Sequence, residues 1–321
     1  MPVYNAAASL QLALDAGLQQ QYQRLEFILI NDASRDNSLE IMQGYLPRMQ
    51  QQGMSVKIID LSENKGPATA RNMGLDQASG TYIYFMDADD SMEPEAIALL
   101  VEAAESSSAD IVGCNWFLSF EQQLRRMNQP AFSSPVEALT AMMHGIMRWN
   151  LWLFMIRRSL FLEHQVRFTP GMDMGEDLLL MIRLFIHAER VAFVDRHLYH
   201  YRQSNSQSLT KTYAEVHMRQ VTANLRAVEQ CLMQGRYAEL GRRSLDFLKL
   251  NIKLPLLITD REEQYRRWLS WFPEANARIM DNKLLPLRTR LLQWFACKQQ
   301  FWALKLYYRL VIRFVYGTIY K

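Results

Sequence analysis

Apolar and polar residues along the first 115 or so positions alternate between two periods. LEFILI (25–30) is a short, continuous apolar run that predicts a buried strand. From about Asn37 to Met49 the period lengthens and places Leu39, Met42, Leu46 and Met49 on one helical face. VKIID (56–60) predicts the next strand. Gly66 and Pro67 open a helix to about Ala78, with proline where its missing N–H costs nothing, and Gly80 closes it. TYIYFM (81–86) predicts a third strand, Pro94 starts a helix through Glu105, and DIVGCNW (110–116) predicts a fourth strand. Strands separated by helices of this length imply parallel pairing in a layered α/β domain.

At the start of the chain, Asn5 is a capping residue type, and Leu10, Ala13, Leu14 and Leu18 follow it at helical spacing. The expectation is a helix beginning almost at the first residue, with no room for a buried strand before it.

Beyond Phe117 the pattern loosens. A helix is expected over 135–147, then LWLFMIRRSLF (151–161), a polar loop with GMDMGED (171–177), and a helix through His187. VAFVD and HLYHYR read as short strands. From about Tyr213 the chain reads as helical, with breaks near Pro273 and Pro286. The expected division is an α/β domain over 1–210 and a helical extension over 211–321.

Ligands of such sheets bind beyond the carboxyl ends of the strands. The polar residues after each strand are therefore expected to share one cleft: Asn31 and Asp32, Ser62 to Lys65, and Asp87 to Asp90. The strongest chemical signal is YIYFMDADDS, an apolar strand ending in Asp87, Asp89 and Asp90. Carboxylates held this close repel one another unless a cation or a set of donors compensates. Mg²⁺ or Mn²⁺ fits, because hard ions take carboxylate oxygens together with substrate phosphates. The plainer reading is an acidic cap on the following helix, a role open to Asp90 even where Asp87 and Asp89 are functional.

NDASRDNS (31–38) places Asp32 where a base or ribose could donate to it, and equally describes an ordinary strand-to-helix turn. In ENKGPATARNMG (63–74) Gly66 allows close backbone approach to a ligand, and Arg71 lies on the next helix. Glu176 and Asp177 are either a general base presented at the cleft or a common acidic pair in a helix's first turn. Arg202 after HLYHY is either a phosphate partner or an exposed arginine. His144, His164 and His187 have no ligand spacing and read as structural or surface residues.

Composition narrows the classes. With 49% hydrophobic and 21% charged residues, the chain is neither disordered nor a multi-spanning membrane protein. It has no apolar run of about 18 residues. Cys114, Cys231 and Cys297 are far apart, which fits a reducing compartment. The expected location is cytoplasmic, or peripheral at the inner face of the cell membrane.

The net charge of +3 is uneven: Lys283 to Lys321 holds eight basic residues and no acidic one, leaving 28 basic against 33 acidic in the rest. Lys305, Arg309 and Arg313 recur every four residues in this aromatic tail. The tail is expected either to lie on an anionic membrane surface or to cover the α/β domain or build a homodimer. Nucleic acid is not an expected partner, since the first 282 residues are net acidic. A dinucleotide oxidoreductase is excluded by the lack of GxGxxG after a strand.

Taken in order, PVYN, NDASRD, ENKGPATARNMG, FMDADD, GED and HYR resemble glycosyltransferase family 2 over roughly residues 2–210. The resemblance is greatest to bacterial members that extend surface polysaccharide or lipopolysaccharide. It implies the GT-A nucleotide-sugar fold: a mostly parallel central sheet flanked by helices, here with a helical C-terminal region. In that family PVYN closes a hydrophobic first strand, so that strand appears here as missing its body.

The resemblance also implies roles. Pro2 and Tyr4 would lie at the donor, Tyr4 near the nucleobase, and Asp32 would bind the uracil or its surroundings. Asp87 would contact ribose or metal, and Asp89 would ligate the metal held by the diphosphate. Asp177 would be the catalytic base, its neighbour Glu176 would bind substrate, and Arg71 and Arg202 would support the donor. The implied reaction is metal-dependent inverting transfer from a nucleotide-sugar, UDP-linked, to a glycan or lipid-linked acceptor. The alternative is an inactive transferase-like interaction protein.

Overall fold

The computed structural model describes residues 1–120, 123–202 and 215–312. It separates into two compact units. One comprises Met1–Phe120, Leu124–Pro135 and Trp149–Val228, and the other holds Val136–Arg148 and the chain from Glu229 onward. The 136–148 stretch joins the later residues through specific contacts: His144 Nδ1 lies 2.7 Å from Asn282 Oδ1, and Asn282 Nδ2 donates to the His144 carbonyl at 3.0 Å.

The first unit opens with β1 (Pro2–Val3), α1 (Leu10–Leu18), β2 (Glu26–Asn31), α2 (Ser38–Gln51), β3 (Ser55–Asp60) and α3 (Gly66–Gln77). The three strands form a parallel sheet in the order β1-β2-β3, in register from Pro2↔Ile30 and Glu26↔Ser55. Burial of Val3, Leu10, Leu14, Leu29, Met42 and Met49 in one cluster explains the spacing of apolar residues on α1 and α2. Asn5 does not cap α1, whose N-cap is Ser9. With φ of 50° it turns the chain, its Oδ1 accepts from Arg35 N at 2.8 Å, and its own N–H donates to Ser34 Oγ. It pins the loop after β2 instead of starting a helix.

The chain continues through β4 (Tyr82–Tyr84), β5 (Ser91–Met92), α4 (Ala96–Ser107), β6 (Ile111–Ser119), β7 (Leu124–Met127), α5 (Pro135–Met143), β8 (Phe154–Arg157), α6 (Arg158–Glu163), α7 (Glu176–His187) and β9 (Val191–Arg202). These strands form a second sheet in the order β4-β8-β6-β9-β5, with β7 on β6. Among the described residues only β6 and β9 pair in parallel there, so the sheet is mixed. The β6–β7 pair is antiparallel because β6 returns directly into β7, with no crossover helix of the kind parallel pairing requires. VAFVD and HLYHYR are two halves of β9. It follows β6 through a register shift at Asn115, where buried Asn115 Nδ2 holds Asp195 at 2.7 Å.

A cavity of about 460 Å³ lies along Phe27, Ile28 and Ile30 of β2 and Tyr82 and Tyr84 of β4, with Met1 among its lining. Contrary to the expectation of no strand before the first helix, Pro2 and Val3 form β1 and pair with Ile30 and Asn31 of β2. The Met1 amine donates to the Ile28 carbonyl at 2.8 Å, as a strand amide would, and burial pushes it down to about 5.

Helix α8 (Glu215–Met233) runs from the first unit into the second, which holds most of α5 with α9 (Ala238–Lys253), α10 (Glu262–Ser270), α11 (Leu287–Cys297) and α12 (Phe301–Tyr307). Short 3₁₀ turns at Leu254–Leu257 and Pro273–Arg278 interrupt them, the second at the expected proline break. Fully buried Lys253 anchors this unit. Its Nζ reaches the carbonyls of Trp268, Trp271 and Phe272 and Asn276 Oδ1 at 2.6–3.2 Å, and sits 4.1 Å from the Trp268 ring centre. Of the proposed tail stripe, Lys305 pairs with Glu262 at 3.1 Å, and Arg313 lies outside the described residues. No helix among the described residues is long and apolar enough to cross a membrane.

Candidate active site

The start of α3 brings together the turns after β2 and β3. Asp32, 3% exposed, accepts from the Lys65 and Gly66 N–H groups at 2.7 and 2.9 Å, and Asn64 Nδ2 donates to its carbonyl at 3.3 Å. A second carboxylate, Asp173, accepts from Ala68 N–H at 3.3 Å. Two anions thus occupy the positive end of one helix. Gly66 is required twice over: its φ is +82°, and a Cβ there would stand 2.7 Å from Asp173 Oδ2.

One turn further along α3, Arg71 gathers carboxylates from separate parts of the chain. Its guanidinium lies 3.3 Å from Asp87, 2.9 Å from Glu176 and 3.8 Å from Asp177, with the side chain only 9% exposed. Three surrounding anions raise its affinity for the proton, so it remains a cation despite burial. Glu176 and Asp177 occupy the first turn of α7, set by Gly175 in the left-handed conformation at φ 78°. Burial raises the pKa of both carboxyls, the neighbouring Asp177 adds to the rise at Glu176, and Arg71 opposes it at each. Asp177 Oδ1 is buried and has no hydrogen-bond donor among the described residues.

The acidic loop after β4 is organised from below. Asp90 is fully buried and accepts from Tyr199 Oη and the Arg202 N–H, each at 2.8 Å. It does not cap α4, whose N-cap is Glu95. Tyr199 Oη also accepts from the Asp87 N–H at 3.2 Å, and its ring stacks on Trp152 at 4.5 Å. Asp87 retains a third of its side-chain exposure. Burial first, then repulsion from Asp87 and Asp89, pushes Asp90 up to about 8.

The loop is therefore short of positive charge, and its donors are carboxylate oxygens, the set a hard divalent ion prefers. Among the described residues no three His, Cys, Asp or Glu side chains form a ready ligand group.

The motifs after β2, β3 and β4 thus meet at α3, with Arg71 joining the last of them to α7. Pro2 lies in β1, exposed Tyr4 follows it, and the Arg202 backbone supports the acidic loop. Sequence reasoning missed Asp173 and Tyr199. GMDMGED contains the first and HLYHYR the second, but neither segment indicates that its residue reaches α3 or the aspartate loop.

The family of this chain follows from comparison with known proteins. It is 31% identical over 218 residues to "Uncharacterized glycosyltransferase EpsJ" of Bacillus subtilis, a match covering 66% of this chain and 62% of the relative's own length. Among solved structures, Staphylococcus aureus TarS 1-349 in complex with UDP-GlcNAc superposes with TM-score 0.70 at 16% identity, covering 96% of this chain and 90% of that one. The mannosyltransferase PcManGT from Pyrobaculum calidifontis, in complex with GDP-Man and Mn²⁺, superposes with TM-score 0.57 at 15% identity, covering 96% and 85%. At these identities the two structures establish a shared fold. Residues 1–174, more than half of the chain, match glycosyl transferase family 2, and the chain belongs to that family.

Proposed function

We propose that this chain is an inverting glycosyltransferase. It would move a sugar from a UDP-linked nucleotide-sugar to a hydroxyl of a glycan or glycolipid acceptor in bacterial surface-polysaccharide synthesis. The observation that carries the reading is the convergence on Arg71: one buried guanidinium joins the aspartate loop after β4 to the acidic pair opening α7. Family membership supports the reaction class, and the donors named for TarS and PcManGT support a nucleotide-sugar.

In this mechanism Asp177 is the general base. Burial raises the pKa of Asp177 and so strengthens it as a base, while Arg71 opposes part of that rise. As Asp177 takes the acceptor proton, the acceptor oxygen bonds to the anomeric carbon from the face opposite the nucleotide. The bond from that carbon to the diphosphate oxygen breaks, and its electron pair leaves with the nucleotide. The configuration inverts in one displacement, with no sugar attached to the protein. Asp87 and Asp89 would hold Mg²⁺ or Mn²⁺, which would supply positive charge where the diphosphate departs. Tyr199 and Asp90 keep that loop in place, while Arg202, Tyr4, Pro2 and Asp32 contribute to the donor side.

Replacing Asp177 with Asn tests the assignment. UDP-sugar binding by calorimetry should persist, and transfer should fall by about 10²–10⁴, the usual contribution of a general base. Unchanged turnover would refute the role of Asp177. Failure of the unaltered chain to bind any member of a UDP- and GDP-sugar panel would favour an inactive, transferase-like partner protein.

A further inference from the structure

We propose that α11 and α12 form a surface that binds an anionic lipid bilayer. The inference is independent of the catalytic reading. On α11, Leu287, Leu291 and Trp294 recur at four- and three-residue spacing, the signature of one helical face, and all three are exposed. An exposed apolar stripe reverses the usual arrangement, in which the apolar face is the buried one. The same inversion continues along α12 and the turn after it, where Trp302 is 64% exposed and Leu306 and Leu310 follow it at four-residue steps, also exposed. These helices also have a conventional buried side, made by Leu292, Ala296, Phe301 and Leu304. The outward stripe is therefore additional to the residues that hold the helices in their unit.

Charge identifies the occupant. Lys283 just before α11, and Arg288, Lys298 and Arg309 among these apolar residues, are exposed, and the described residues include no ion pair to any of them. From Lys283 to Lys321 the sequence offers no carboxylate to neutralise them, while the first 282 residues are net acidic. A symmetric contact between two copies would set this patch against itself and bring like charges together. An anionic bilayer meets both halves of the pattern: headgroup phosphates take the cations, and the interfacial hydrocarbon takes Leu and Trp. Since no described helix can span a membrane, the surface would lie along the bilayer.

Co-sedimentation of the full chain with vesicles provides the test. One set would be phosphatidylcholine alone, and the other two parts phosphatidylcholine to one part phosphatidylglycerol. Binding is expected to the second set, weakening as salt is raised. The triple reversal R288E, K298E and R309E changes only exposed, unpaired side chains and should lower partitioning by roughly tenfold or more. L287S with L291S and W302S should lower it on both vesicle types, with circular dichroism and Tm unchanged. Equal binding to neutral and anionic vesicles, no binding, or salt-independent binding by the unaltered chain would overturn the proposal. So would a concentration-dependent dimer in lipid-free ultracentrifugation that the apolar variants abolish, because a second copy would then own the surface.

Discussion

Replacing Arg71 with Met removes the cation from its three carboxylates while keeping a long, unbranched side chain against Phe168, whose ring now lies 5.6 Å from the guanidinium. Arg71 is 9% exposed, and Glu176 and Asp177 are 12% and 21% exposed at the side chain, so water compensates little of the loss. Removing one partner of a buried ion pair costs about 3–5 kcal/mol. At about 2–4 °C per kcal/mol for a unit of this size, Tm should fall by about 6–20 °C near pH 8.

The sign of the pH dependence follows from the carboxyls. Glu176 and Asp177 have folded pKa values above their unfolded ones. Their contribution to stability is present below the unfolded carboxyl range and is lost as pH rises through the folded values. Arg71 opposes that rise, so its removal moves the folded values higher still and enlarges the loss at neutral and alkaline pH. The Tm deficit of R71M should therefore be greatest near pH 8 and shrink towards about pH 5.

Differential scanning calorimetry of the unaltered chain, R71M, E176Q and R71M/E176Q measures both the deficit and the coupling of the pair. A Tm within about 2 °C of the unaltered chain at pH 8, or a deficit that does not change with pH, would refute the electrostatic account.

Lys253→Met should cost about 2–5 kcal/mol by leaving the carbonyls of Trp268, Trp271 and Phe272 without their donor, read as a lower Tm. Burial lowers Lys253 to about 7 from 10.5, so the unfolded chain holds this proton over a range where the folded one releases it. The unaltered chain should gain stability as pH rises through that window, and K253M should lose that slope. Gly66→Ala should destabilise by at least about 1–2 kcal/mol from the left-handed backbone alone, and transfer should fall as Asp173 is displaced from α3.

Local order was legible because it depends on neighbours in the chain. The 2.0 and 3.6 periods located β2, β3, α2 and α3 within two residues, and the Gly-Pro pair marked the start of α3. FMDADD announced a charge that needed compensation because its aspartates are adjacent. The compensating group was not legible: Arg71 reaches Glu176 across 105 residues, and periodicity carries no information over that distance. The aspartates also proved unequal, since Asp90 is buried by a tyrosine 109 residues away while Asp87 stays partly open.

The same limit explains Asn5, which has the chemistry of a helix cap but meets Ser34 and Arg35 first. It also explains 136–148, a helix by its own pattern whose place in the second unit is set by His144 and Asn282. The sequence by itself determined the run of elements from β2 to α3, the family motifs and the charge asymmetry of the tail, because each follows from composition or short-range spacing. Only the tertiary structure decided which carboxylates share a cation, which aspartate is buried and which face of α11 meets solvent, because those depend on where distant segments cross.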